Sequence, residues 1–183
     1  MGKIILINLA KCAVRGIHKA MKDMFKIVLS DSPEFIREEL STAPKMEADR
    51  DECLALVTLR HKEVNGSGYI MCIISKKIAK RLLMQSGVVE KIDDELIGDA
   101  FGEFVTLIAG AFKQEMFNLG RGLIEISVPK KFTAGIDDEI RGVEVYSHYV
   151  MTVKHEKEYL MTIELAFQST GLKEGSESSE SPS

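Results

Sequence analysis

Four residues of one segment have types and spacing that can do chemistry: Asp99, Glu103, Thr106 and Gly110. At 100° of turn per residue they fall within about a 60° arc of an α-helix. They form a narrow polar stripe on a helix whose other positions, among them Ile97, Phe101, Phe104, Ile108 and Phe112, are apolar. Lys113 lies near the end of the stripe. Glu103 and Thr106 are three apart, so their side chains are neighbours on the surface. By itself Glu-x-x-Thr is a weak motif. The same stripe is also what the solvated face of any amphipathic helix looks like. Gly102 and Gly110 each cost about 1 kcal/mol of helix propensity. That cost implies close packing or an approach surface for a partner.

The elements that must position the stripe follow from patterning. Helix and strand signals both occur, which excludes an all-α or all-β chain. A first helix is expected over Ile4 to Met24, from apolar steps of three and four, and then a short strand over Phe25 to Leu29. Asp31-Ser32-Pro33 reads as a helix start, with a short helix to about Leu40. Ser41 to Glu52 reads as a loop. Cys53 to Arg60 and Tyr69 to Ser75 are apolar and β-rich, and Asn65-Gly66 between them supplies the positive φ of a hairpin turn. Ser75 then caps a helix that Gly87 ends. The long helix runs from about Asp93 to Leu119, and a strand from Leu123 to Val128 is stopped by Pro129. Lys130 to Arg141 is read as a connection. Gly142 to Val153 and Tyr159 to Phe167 form a last hairpin around Lys154 to Lys157.

Composition narrows the function classes. The chain of 183 residues is 45% apolar and 28% charged, which suits one domain with a hydrophobic core. Its net charge of −4 leaves no broad basic footprint for nucleic acid. Lys76, Lys77, Lys80 and Arg81 read as a solvated helix face. No apolar run is long enough to span a bilayer, and the chain is read as cytoplasmic, with no membrane insertion. Cys12, Cys53 and Cys72 lack CxxC spacing and read as core residues; the four histidines show no ligand spacing. From Gly171 onward the Gly, Ser, Glu and Pro composition cannot bury enough apolar surface to offset its ordering entropy. The expected organisation is one domain over 1–170 and a disordered Ser-rich acidic tail over 171–183.

The run Asp93-Asp94-Glu95 through Ala100, Gly102-Glu103, Thr106 and Gly110 resembles the active helix of the CheC/CheX/FliY chemotaxis phosphatases. Those proteins carry the pattern D-E-x-x-x-x-A-x-G-E-x-x-N-x-x-x-G. The resemblance continues through Leu119-Gly120, the strand Ile124 to Val128 with Pro129, and Thr133-Ala134-Gly135. It covers about Cys53 to Phe167. The first helix carries no Glu-x-x-Asn, so the pattern is closer to CheX than to CheC or FliY. The resemblance implies an α/β (α+β) fold with long helices packed on an antiparallel sheet. It implies a homodimer joined by sheet continuation, an expectation that the long apolar terminal strands, taken as open edges, also suggest.

For function it implies a phosphatase acting on the aspartyl phosphate of a phosphorylated CheY-like response regulator. Glu103 would pair with the receiver's lysine, and the residue at 106 would orient the attacking water. The chain would need no cofactor of its own, because the Mg²⁺ sits in the partner receiver. Thr106 stands where the pattern has asparagine. A threonine hydroxyl reaches less far than an amide, is stiff at χ1, and can bond back to a carbonyl one turn earlier. Two alternatives therefore stay open. One is a catalytically weak or silent module of the same fold that binds receiver or flagellar-switch components. The other is an unrelated α/β domain such as a small-ligand binder.

Overall fold

The structure is a computed structural model and describes residues 2–38, 51–62, 66–88, 91–132 and 147–167. The chain begins with α1 (Gly2–Phe25), followed by β1 (Glu34–Glu38), β2 (Glu52–His61) and β3 (Ser67–Ser75). Then come α2 (Lys76–Gln85), α3 (Asp94–Asn118), β4 (Ile124–Ile126), β5 (Lys130–Phe132), β6 (Ser147–His155) and β7 (Glu158–Phe167). The strands make one antiparallel sheet in the order β1-β6-β7-β3-β2-β4, with β5 also pairing β2. This is the expected α/β architecture, with α3 packed on β2 and β3.

The core lies between the sheet and the helices. Ala55, Val57 and Leu59 of β2 and Ile70, Cys72 and Ile74 of β3 face it. The alternate residues Leu54, Leu56, Tyr69 and Met71 are buried as well. Successive strand residues point to opposite faces, so both faces of the central hairpin are covered. That is why β2 reads as a continuous apolar run and not as an alternating one. α1 crosses α3 closely. A Cβ on Gly16 would sit 2.9 Å from the Ile108 carbonyl oxygen, so glycine lets the two backbones approach. Arg15 Nη1 and Glu115 Oε2 pair across the crossing at 2.8 Å.

Several expected elements stand as read, with shifted ends. The hairpin flanks, α2, α3 and the last hairpin are all present. Asp93 caps α3 by accepting a hydrogen bond from the Leu96 amide at 3.0 Å. The expected Asn65-Gly66 turn, the loop from Ser41 to Glu52 and the tail from Gly171 lie largely or wholly outside the described residues, except that Glu52 already opens β2.

Other expectations fail. The segment after Pro33 is a strand and not a helix: Glu34 to Glu38 pair antiparallel with Thr152 to His148. Pairing along β6 outweighs a local capping signal, because five residues are too few to propagate a helix. Phe25 to Leu29 is not a strand. α1 runs to Phe25, Lys26 takes a φ of 58°, and the Ile27 amide donates back to the Met21 carbonyl at 3.2 Å. The connection read at Lys130 begins with β5, whose residues Lys130 to Phe132 pair with Leu56 to Leu54.

The terminal strands are not edges. β6 lies between β1 and β7, and β7 between β6 and β3. The edge argument for a homodimer through these strands therefore does not hold.

β4 and β5 follow one another along the same side of β2. Proline has no N–H to continue a ladder, so Pro129 separates them. Ser127 repairs the ladder just before it. Its amide donates to the Thr58 carbonyl at 3.0 Å, and its hydroxyl oxygen accepts from the Thr58 amide at 2.9 Å.

Candidate functional site

α3 sits in the middle of the molecule, held by α1 on one side and by the sheet on the other. Its apolar face is fully buried at Ile97, Phe101, Phe104, Ile108 and Phe112. The remaining stripe faces outward, and the structure brings Asp99, Glu103, Thr106, Gly110 and Lys113 onto it together. Glu103 is exposed, Thr106 half-buried, and Gly110 and Lys113 exposed. Glu103 and Thr106 are thus not buried against the sheet, which the site reading requires.

The stripe is chemically uneven. Asp99 is committed to an ion pair with Lys131 of β5. The Glu103 carboxylate has no hydrogen bond or ion pair among the described residues. The Thr106 hydroxyl donates to the Gly102 carbonyl oxygen at 2.8 Å, the one-turn back-bond expected of a mid-helix threonine. Its proton is spoken for, while its oxygen lone pairs still accept. The pair at 103 and 106 therefore presents one free carboxylate and one acceptor oxygen held close to the helix.

The two glycines separate the two explanations given for them. Gly102 is buried, and a Cβ there would lie 3.3 Å from Pro129 Cβ; one on Gly98 would lie 3.1 Å from Lys131 Cδ. These residues let β5 and the Pro129 bend close over the first half of α3. Around Gly110 a Cβ would meet nothing within 4 Å, so no packing among the described residues accounts for it. Gly110→Ala is expected to stabilise the fold by up to about 1 kcal/mol, by removing the backbone entropy of a helical glycine. A urea midpoint that falls instead would show that Gly110 is needed within the fold.

Other sequence-level candidates are structural. Lys76 Nζ pairs with Asp94 Oδ2 at 2.7 Å, and Arg81 Nη1 with Glu158 Oε1 at 2.7 Å. The bond from Lys76 holds the Asp94 carboxyl below its usual range. The expected solvated basic face of α2 is thus partly tied down by ion pairs. All three cysteines are free and buried. Burial pushes the Cys53 thiol up to about 11, which leaves it protonated and unreactive at neutral pH. No group of three or more His, Cys, Asp or Glu side chains suited to a metal ion occurs among the described residues. Nor is any described helix long and apolar enough to cross a membrane.

Sequence reasoning missed Lys131, which engages Asp99 from a three-residue strand. It also missed Arg60 and Lys62, which lie near Lys113 around an open groove. No local pattern signals either grouping, because each is made by strand pairing between distant segments.

No protein-family model matches the sequence, and no curated protein matches it. Solved structures do match, at low identity. A CheC-like superfamily protein from Shewanella sp. PV-4 has a TM-score of 0.64 at 13% identity, covering 89% of this chain and 99% of its own. The chemotaxis protein CheX from Vibrio vulnificus has a TM-score of 0.64 at 15% identity, covering 87% and 99%. A chain of the CheX–CheY–BeF3–Mg²⁺ complex from Borrelia burgdorferi has a TM-score of 0.62 at 14% identity, covering 87% of this chain and 97% of its own. The fold is that of the CheC-like and CheX chemotaxis proteins. The α/β architecture implied by the sequence resemblance is the one found.

Proposed function

We propose that this chain binds a phosphorylated CheY-like receiver through α3 and hydrolyses its aspartyl phosphate, with Glu103 and Thr106 as the residues that act. The observation that carries the reading is the free, exposed Glu103 carboxylate on a helix face that also holds the open backbone at Gly110. Glu103 pairs with a cation of the receiver and fixes the helix over the phosphoryl group. The Thr106 oxygen accepts from the attacking water. Mg²⁺ in the receiver supplies charge neutralisation, so this chain contributes position and electrostatics, as is usual in phosphoryl transfer. The CheX relative solved with CheY and BeF3 supports a CheY-like partner.

A second reading has a specific observation in its favour. The Thr106 hydroxyl is bonded inside the helix, which suits a module that binds a receiver without hydrolysing it.

The deciding experiment follows the decay of phosphorylated receiver with and without the protein. Acceleration supports the phosphatase. Binding without acceleration supports the silent module, and the absence of both binding and acceleration refutes both readings. Thr106→Asn sharpens the test, since it extends an amide past the helix surface where it holds water from both of its polar atoms. The expected gain is about 10-fold, a fraction of the roughly 100-fold that a 1 Å misplacement costs. A variant no faster than wild type would remove position 106 from the mechanism.

A further inference from the structure

The outward stripe of α3 continues beyond Gly110. Lys113 and Phe117 follow at the same helical phase, and Phe117 is 56% exposed. Beside Lys113 an open groove of about 540 Å³ runs along β4, lined by Arg60, Lys62, Leu123 and Glu125 among others. Three cations thus face a single carboxylate. Lys62 Nζ lies 2.9 Å from Glu125 Oε1, and both side chains are about half exposed. Lys62 first, then Arg60 and Lys113, hold the Glu125 carboxyl below its usual range, so all three act on the same small volume. Neither Arg60 nor Lys113 forms an ion pair of its own among the described residues. This concentration of positive charge stands on a chain of net charge −4.

We infer that this groove is a second contact for the receiver and takes an acidic segment of that protein, with Leu123, which lines the groove and is exposed, receiving an apolar side chain. The inference rests on the proposed reading that α3 faces the receiver. Lys113 belongs to both the stripe and the groove. It lies ten residues beyond Glu103, or roughly 15 Å along the helix, and one protein partner spans that distance within an interface of ordinary size. The cations flank a three-residue strand about 10 Å long. That length suits two or three carboxylates of a loop or helix end. A long polyanion would run on to a surface whose net charge repels it. Exposed charges at an interface rim act mainly on the association rate and its salt dependence.

The test uses the full chain and its receiver, activated with BeF3 and Mg²⁺. Association is timed at about 0.02 M and about 0.5 M salt, where screening is weak and strong respectively. The combined variant Arg60→Gln, Lys62→Gln, Lys113→Gln is expected to associate about 10-fold more slowly at low salt and nearly as fast as wild type at high salt. Its unfolding midpoint should match wild type, since all three side chains are exposed. Unchanged association at low salt, or an equal loss at both salts, overturns the inference. So does a groove that binds phosphatidylserine vesicles or a single-stranded oligonucleotide in place of the receiver. Glu103→Arg separates the two readings. If it alone abolishes binding, α3 is the contact and the groove is not. If neither variant changes binding, the α3 reading fails and the groove inference falls with it.

Discussion

On the proposed phosphatase reading, replacing Glu103 by alanine is expected to return the decay of phosphorylated receiver to the receiver's own rate. Truncating one member of a hydrogen-bonded charge pair that becomes buried on binding costs about 2–5 kcal/mol. Each 1.36 kcal/mol is a factor of ten, so the acceleration falls by at least about 30-fold. The substitution is clean because the fold asks nothing of this carboxylate: it is exposed and has no partner among the described residues. The unfolding midpoint should therefore stay within about 0.5 kcal/mol of wild type, as for surface changes generally. Glu103→Gln distinguishes charge from shape, since it keeps the reach and loses the ionic attraction. If Glu103→Ala dephosphorylates and binds receiver as wild type does, this face of α3 is merely solvated surface.

Phe101→Ala is expected to destabilise the chain by about 3–5 kcal/mol, the usual cost of emptying a buried phenyl site. Phe101 is fully buried, stacked on Phe25 at 5.5 Å between ring centroids and edge-on to Phe104 at 5.8 Å. These rings join α1 to α3 directly beneath the stripe, so a cavity here loosens the support of Glu103 and Thr106. With total stabilities commonly about 5–15 kcal/mol, the variant loses a large share of its margin. Urea denaturation measures it. A loss below about 1 kcal/mol would mean that the aromatic cluster does not hold the helices together.

The parts legible in the sequence were those with their own period. α3 announced itself through apolar residues at steps of three and four, and the central hairpin through two β-rich runs. The stripe of Asp99, Glu103, Thr106 and Gly110 followed from helical geometry alone. β1 and β5 were not legible, because five and three residues carry no usable period and their pairing partners lie far along the chain. Misreading β5 as a connection hid the partner of Asp99, since Lys131 is 32 residues away. It also left Gly102 with two open explanations that only Pro129 could separate. β6 and β7 look like open edges in the sequence for a different reason: β1, which covers β6, reads as a helix start, and the pairing of β7 with β3 is long-range.

The clamp that β5 and Pro129 place over Gly98 and Gly102 has a kinetic consequence. The amides of α3 from Asp99 to Thr106 lie under a strand ladder on one side and a crossing helix on the other. They lie well inside the helix, away from both of its ends, so their hydrogen exchange is expected to be slow. Residues 103 and 106 are thus displayed on a helix whose backbone is expected to open late. If α3 meets a receiver as proposed, it does so already in place, and the ordering on association falls to the partner.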